Sequence, residues 1–125
     1  MAFINTVKTI SAQAVPTEYV SSLAVALTVG TVTTALTGFV NYVRSGRVRL
    51  KVTTPNGGQI TAIKITGTDG TTTSTYYQDA VARTINETDD LLFNFVSELN
   101  LTTVSVAVTV ATATITADLE IAGNS

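Results

Sequence analysis

The carboxylates Asp79, Glu87, Asp89 and Asp90 fall within one short stretch of the chain. Oxygen donors gathered this way can serve a Ca²⁺ site or a glycoside-hydrolysing carboxylate pair. A helix–loop–helix Ca²⁺ loop also needs oxygens at alternate positions, a central Gly and a terminal bidentate Glu, and that order is missing. The stretch therefore reads as a solvated acidic loop. Ser and Thr are abundant, but the chain has no His and no Cys, so a hydroxyl nucleophile would need Lys8, Lys51 or Lys64 as its base. No serine and lysine stand at catalytic spacing. The same two absences remove the commonest general base near neutral pH and the commonest ligands of zinc, copper and non-haem iron. They also exclude disulfides and leave the redox compartment open. Gly46, Gly57, Gly58, Gly67 and Gly70 form no phosphate loop opening a helix and read as turn glycines. The expectation is a protein that is not an enzyme and carries no metal and no cofactor.

The best candidate site is the basic run Arg44, Arg47, Arg49 and Lys51. Arg47, Arg49 and Lys51 alternate with Val48, Leu50 and Val52, so a strand here would carry its cations on one face. Such a face can meet the carboxylates of a partner protein or phosphates. A formal net charge of −2 and a pI near 4.8 place the protein partner ahead of nucleic acid. The competing reading is an edge strand that displays Lys and Arg to block unwanted pairing. Tyr19, Tyr42, Tyr76 and Tyr77 can form a sugar-stacking platform, but Trp is absent, and packing in a core or interface is their expected use.

The elements that must position these residues are mostly strands. Threonine supplies 25 of the 125 residues, and with Val it favours extended backbone, because β-branched side chains suit a pleated surface. Leu23, Val25, Leu27 and Val29 alternate with Ala24, Ala26 and Thr28, and Gly30 closes that run. Between Thr31 and Val43 the alternation weakens, and Leu36, Phe39, Val40 and Val43 stand at three- and four-residue spacing that can mark one or two helical turns, a minority option. Pro55-Asn56-Gly57-Gly58 makes a loop. Thr61, Ile63 and Ile65 alternate up to Gly67, Asp69-Gly70 fits a type I′ turn, and Thr71 to Tyr77 is the returning strand. In Asn86 to Leu99, Leu91, Leu92, Phe95, Val96 and Leu99 fit a helix while Leu91, Phe93 and Phe95 fit a strand; the strand is favoured. Val104, Val106, Val108 and Val110 occupy even positions, whereas Ile115, Ala117, Leu119 and Ile121 occupy odd ones. A turn or bulge is therefore required between them, near Ala111 to Ala113.

The sum is a mainly β chain: a single antiparallel β-sandwich or small barrel of about seven to eight strands with at most one or two short helices. The length suits one domain, set as an N-terminal arm over residues 1–16 and a β domain over residues 17–125. Hydrophobic residues make up 45% and charged residues 13%, the latter well under the usual share of about 25%, so the surface is suited to burial against other proteins. The N-terminus lacks the apolar core of a secretory signal. Thr28, Thr31, Thr33, Thr34, Thr37 and Asn41 interrupt the apolar run from Leu23 to Val43, which argues against a membrane helix.

The segment Gln59 to Tyr77, QITAIKITGTDGTTTSTYY, resembles a run found in small head or decoration proteins of tailed bacteriophages: an apolar strand, Thr-Gly-Thr-Asp, a turn, then a polar Thr-rich strand. The resemblance extends to the Val- and Thr-rich end, Leu101 to Ile121. Where those proteins have an acidic residue soon after the turn, this chain has Ser74 or Thr75. The resemblance implies a non-enzymatic virion protein, made in the host cytoplasm, that self-associates and binds a major capsid or other virion protein. No nucleic acid contact, membrane or small-molecule substrate is expected. Two alternatives stand beside it: a carbohydrate-binding or adhesin-type β-sandwich, and a tail-tube or other ring-forming virion component.

Overall fold

The structure is a computed structural model that describes residues 18–80, 83–85 and 89–125. The expected arm over residues 1–16, Lys8 and Glu87 lie outside the described residues. The strands are β1 (Glu18–Leu27), β2 (Gly30–Thr37), β3 (Val43–Thr54), β4 (Gln59–Thr68), β5 (Thr73–Asp79), β6 (Arg83–Thr84), β7 (Asp90–Leu101), β8 (Thr103–Ala111) and β9 (Ile115–Asn124). One sheet has the order β1-β9-β3-β7, the other β2-β8-β4-β5, with the two-residue β6 extending the pairing on β4. Every pairing is antiparallel. The chain changes sheet at nearly every connection, and the two four-strand orders are those of a jelly roll, a sandwich of two Greek keys. No helix occurs among the described residues. The sequence expectation of a mainly β antiparallel sandwich holds, with nine strands in place of seven or eight and without the helical turns.

Period-two patterning builds the core. Val48, Leu50 and Val52 of β3, Ile115, Leu119 and Ile121 of β9, and Val104, Val106, Val108 and Val110 of β8 are all buried between the sheets. Each such side chain contributes about 1.5–3 kcal/mol on leaving water. The parity switch between Val110 and Ile115 is a crossing from one sheet to the other. Thr112 takes φ 81° and Ala113 N donates to Ala111 O at 3.0 Å, so a three-residue turn with neither Gly nor Asn reverses the chain. At the crossing from β3 to β4, Asn56 and Gly57 have φ 52° and 73° and Gly58 N donates to Pro55 O at 2.8 Å. Those are the features of a type I′ turn.

Three local expectations are corrected. Leu23 was expected to share the core side with Val25 and Leu27, yet it is exposed. A bulge between Ser22 and Val25, with Ala24 at φ 54°, inverts the parity of β1 there. The Asp69-Gly70 turn is a four-residue loop in which only Gly70 has positive φ. Asp69 Oδ1 accepts Thr71 N at 2.8 Å and Thr72 N at 2.7 Å, an Asx arrangement that replaces the tight I′ turn. β3 lies between β9 and β7, so the basic run is on an interior strand and the edge-protection reading fails.

Candidate functional site

β3 holds all four residues of the basic run. Arg47, Arg49 and Lys51 point outward because Val48, Leu50 and Val52 are claimed by the core. Arg44 joins them across a register irregularity between Val43 and Ser45, which lets an even-numbered and three odd-numbered residues share one face. The neighbouring strands answer them with polar and acidic groups. Arg44 Nη2 donates to Glu98 O at 3.1 Å and Arg47 Nε to Asn94 Oδ1 at 3.2 Å. Arg49 grips Asp90 with both ends, Nε to Oδ1 at 2.9 Å and Nη2 to Oδ2 at 2.7 Å. Lys51 sits in register with Asp118 on one side and Asp90 on the other.

These contacts form a polar lattice across the whole sheet. Hydrogen bonding to Arg49 holds the Asp90 carboxyl below its ordinary value, and the same bond raises the Arg49 guanidinium. On the far side, hydrogen bonding to Glu120 pushes the Tyr19 phenol up, with burial as a lesser cause. Asp118 Oδ1 accepts the N–H of Ala24 at 2.8 Å, satisfying a backbone donor that the β1 bulge frees from the ladder. A shallow depression lined by Arg47, Arg49, Asp90, Leu92, Glu120 and Ala122 marks the middle of this face.

The other sheet presents the opposite chemistry. Its outward positions include Thr31, Thr33, Ala35 and Thr37 on β2, paired with Thr109, Ala107, Ser105 and Thr103 on β8. Across β2, β8 and β4 the one charged residue is Lys64. The molecule is thus two-faced: charges interlock on one sheet, and small hydroxyl and methyl groups cover the other.

Among the described residues, the acidic stretch gathers no site. Asp79 pairs with Arg83 at 2.5 Å and accepts the Tyr77 hydroxyl at 3.0 Å. Asp90 belongs to Arg49, and among the described residues no three His, Cys, Asp or Glu groups cluster. The tyrosines are also dispersed. Tyr76 and Tyr77 turn toward the opposing sheet, their rings 5.8 Å from Phe95 and 4.5 Å from Phe93, while Tyr19 is exposed on the outer face of β1. A shift between Ile65 and Thr66 in the β4–β5 register is what allows two consecutive tyrosines to point inward.

Sequence reasoning missed the open edge of β7, where Leu92 and Val96 are exposed. A signal was present: from Asp90 to Leu101 there is no Lys, Arg or Pro, the residues that normally guard an edge.

No protein-family model matches the chain, and no curated protein matches it. Among solved structures, it is similar to a chain of the cowpea mosaic virus empty virus-like particle, seen by electron cryo-microscopy. That likeness has a TM-score of 0.45 and 11% identity, over 88% of this chain and 79% of that one.

Proposed function

We infer that the chain is a non-enzymatic structural subunit of a virion, a capsid decoration or cementing protein that packs against copies of itself and against a neighbouring capsid protein. The observation that carries this reading is the strand order of the two sheets, a jelly-roll arrangement whose recurrent uses are viral capsid proteins, lectins and cupins. Cupin chemistry relies on histidine ligands, and this chain has none. A lectin platform needs its aromatic residues side by side at the surface, whereas Tyr76 and Tyr77 are committed to Phe95 and Phe93. Assembly asks only for shape, edges and a surface that tolerates burial. The low share of charge and the nearly chargeless outer face of β2, β8 and β4 meet that requirement. The resemblance of Gln59 to Tyr77 to phage head proteins points the same way.

Arg44, Arg47, Arg49 and Lys51 are the proposed contact to an acidic surface of the capsid partner. Arg49 is tied to Asp90, which leaves Arg44, Arg47 and Lys51 as the cations through which that contact would be read, and its strength would fall with salt.

Light scattering behind a sizing column tests the reading. A dimer or larger closed assembly of the 13.1 kDa chain is expected. A monomer at every concentration, together with a saturable glycan signal, would replace it with the carbohydrate-binding alternative.

A further inference from the structure

β7 is the last strand of its sheet: it pairs with β3, and no strand lies along its other edge among the described residues. An open edge is a template for another chain unless something blunts it. The other edges are blunted or offer little apolar surface. β1 exposes Tyr19 and Leu23 but is bulged between Ser22 and Val25, β5 is shifted in register opposite Ile65 and Thr66, and β2 presents Thr31, Thr33 and Thr37 outward. β7 has none of these protections from Asp90 to Val96, where its pairing with β3 is regular. It also exposes two apolar side chains there, Leu92 at 52% and Val96 at 81%.

The placement of those two residues is symmetric. Leu92 and Val96 stand two positions to either side of Asn94, and the inward Phe93 and Phe95 flank it one position away. A two-fold axis through Asn94 would set Leu92 opposite the second copy's Val96, and Phe93 opposite the second copy's Phe95. Both inward faces would remain inward, because this register pairs even positions with even. Moving the axis to Phe93 sets Leu92 against Asn94, and moving it to Phe95 sets Leu92 against Glu98. An axis at Leu92 or at Val96 would set that residue against itself, but the latter puts Leu92 against Asn100 and the former carries Val96 past the start of the strand. Only the Asn94-centred register therefore gives both exposed apolar residues an apolar partner within β7. The like charges at the ends are managed: Asp90 is held by Arg49, and Glu98 lies past the irregularity that follows Val96.

We propose that β7 pairs antiparallel with β7 of a second copy about a two-fold axis at Asn94, joining two four-stranded sheets into one of eight strands. The pairing is isologous, so one patch serves both copies. It deepens the self-association inferred above, and rests on it.

The chain has no cysteine, so the single substitution Asn94→Cys tests the register. Residues opposite one another on an antiparallel ladder have Cα atoms roughly 4.5–5.5 Å apart, within the reach of a disulfide. Mild oxidation should convert Asn94→Cys to a covalent dimer on a non-reducing gel, while Tyr19→Cys on the opposite edge strand should stay single. Val96→Lys alters an exposed side chain and should keep its circular dichroism while weakening the dimer roughly tenfold, since the axis counts each lost pair twice. If wild-type protein is a dimer or larger but Asn94→Cys does not cross-link, the β7 pairing is overturned and self-association runs through another surface. If wild-type protein has the mass of one chain at every concentration, the pairing and the self-association both fall.

Discussion

The carboxylate of Glu18 closes on the backbone of Val40: Oε1 accepts its N–H at 2.8 Å, and Oε2 accepts the next N–H, of Asn41, at 3.0 Å. Glu18 is buried on β1, and the two amides belong to the loop from β2 to β3. One side chain therefore fixes the path between the sheets. Glu18→Ala should lower stability by about 1–3 kcal/mol, because two donors lose a charged acceptor. Glu18→Gln, which keeps one oxygen, should lose less. Urea unfolding of the three proteins gives the comparison.

Gly46 and Gly123 face each other on β3 and β9. A Cβ on Gly46 would lie 2.5 Å from the Ala122 carbonyl oxygen, and one on Gly123 would lie 2.5 Å from that of Ser45. Backbone cannot yield as a flexible side chain does, so Gly46→Ala and Gly123→Ala should each cost about 1–3 kcal/mol of overpacking. A lowered urea midpoint in both variants is the expected result.

Tyr76 of β5 and Ser97 of β7 share a hydrogen bond of 2.5 Å across the sandwich, and Ser97 Oγ also accepts the N–H of Leu99 at 2.9 Å. Removing one hydroxyl with Tyr76→Phe should cost about 0.5–1.5 kcal/mol and leave the ring packing on Phe95 intact. Unfolding monitored by tyrosine and phenylalanine near-ultraviolet dichroism reads both quantities.

Asp90 gives the fold a pH dependence. Its folded carboxyl sits below the ordinary 3.8 because Arg49 donates to it. The unfolded chain therefore takes up the proton first as pH falls. The stabilisation is complete above the ordinary carboxylate value and is lost as pH drops through the lower, folded one. Asp90→Asn should flatten the stability profile in that acid range. Both partners are solvent-exposed, so the effect should be small and should shrink further in salt. Melting temperatures at pH 2 to 5, with and without added salt, are the measurement.

Much of the sandwich was legible because its strands are half-buried and alternate without ambiguity. Val48-Leu50-Val52, the even valines of β8 and the odd apolar residues of β9 each declare their inward face. The parity break between Val110 and Ile115 correctly required a turn with no Gly or Asn to mark it. Leu23 misled because a bulge is set by a contact distant in sequence, the acceptance of the Ala24 N–H by Asp118. The basic run was visible as a single face, but its position inside the sheet was not. Strand order depends on which edges meet, and alternation says only which face is buried. Leu92 and Val96 were weighed as possible helix positions; their exposure follows from β7 lying at the end of its sheet.

β1 pairs along its length with β9 alone, with Glu18 opposite Gly123 at one end and Leu27 opposite Ile115 at the other. On a ribosome, the first of these strands emerges long before its partner exists. It must wait, apolar face uncovered, while the intervening chain is synthesised. Joining strands so distant in sequence makes folding slow and leaves intermediates open to sticking. A circular permutant that links the two strands directly should therefore refold faster than the natural order at comparable stability.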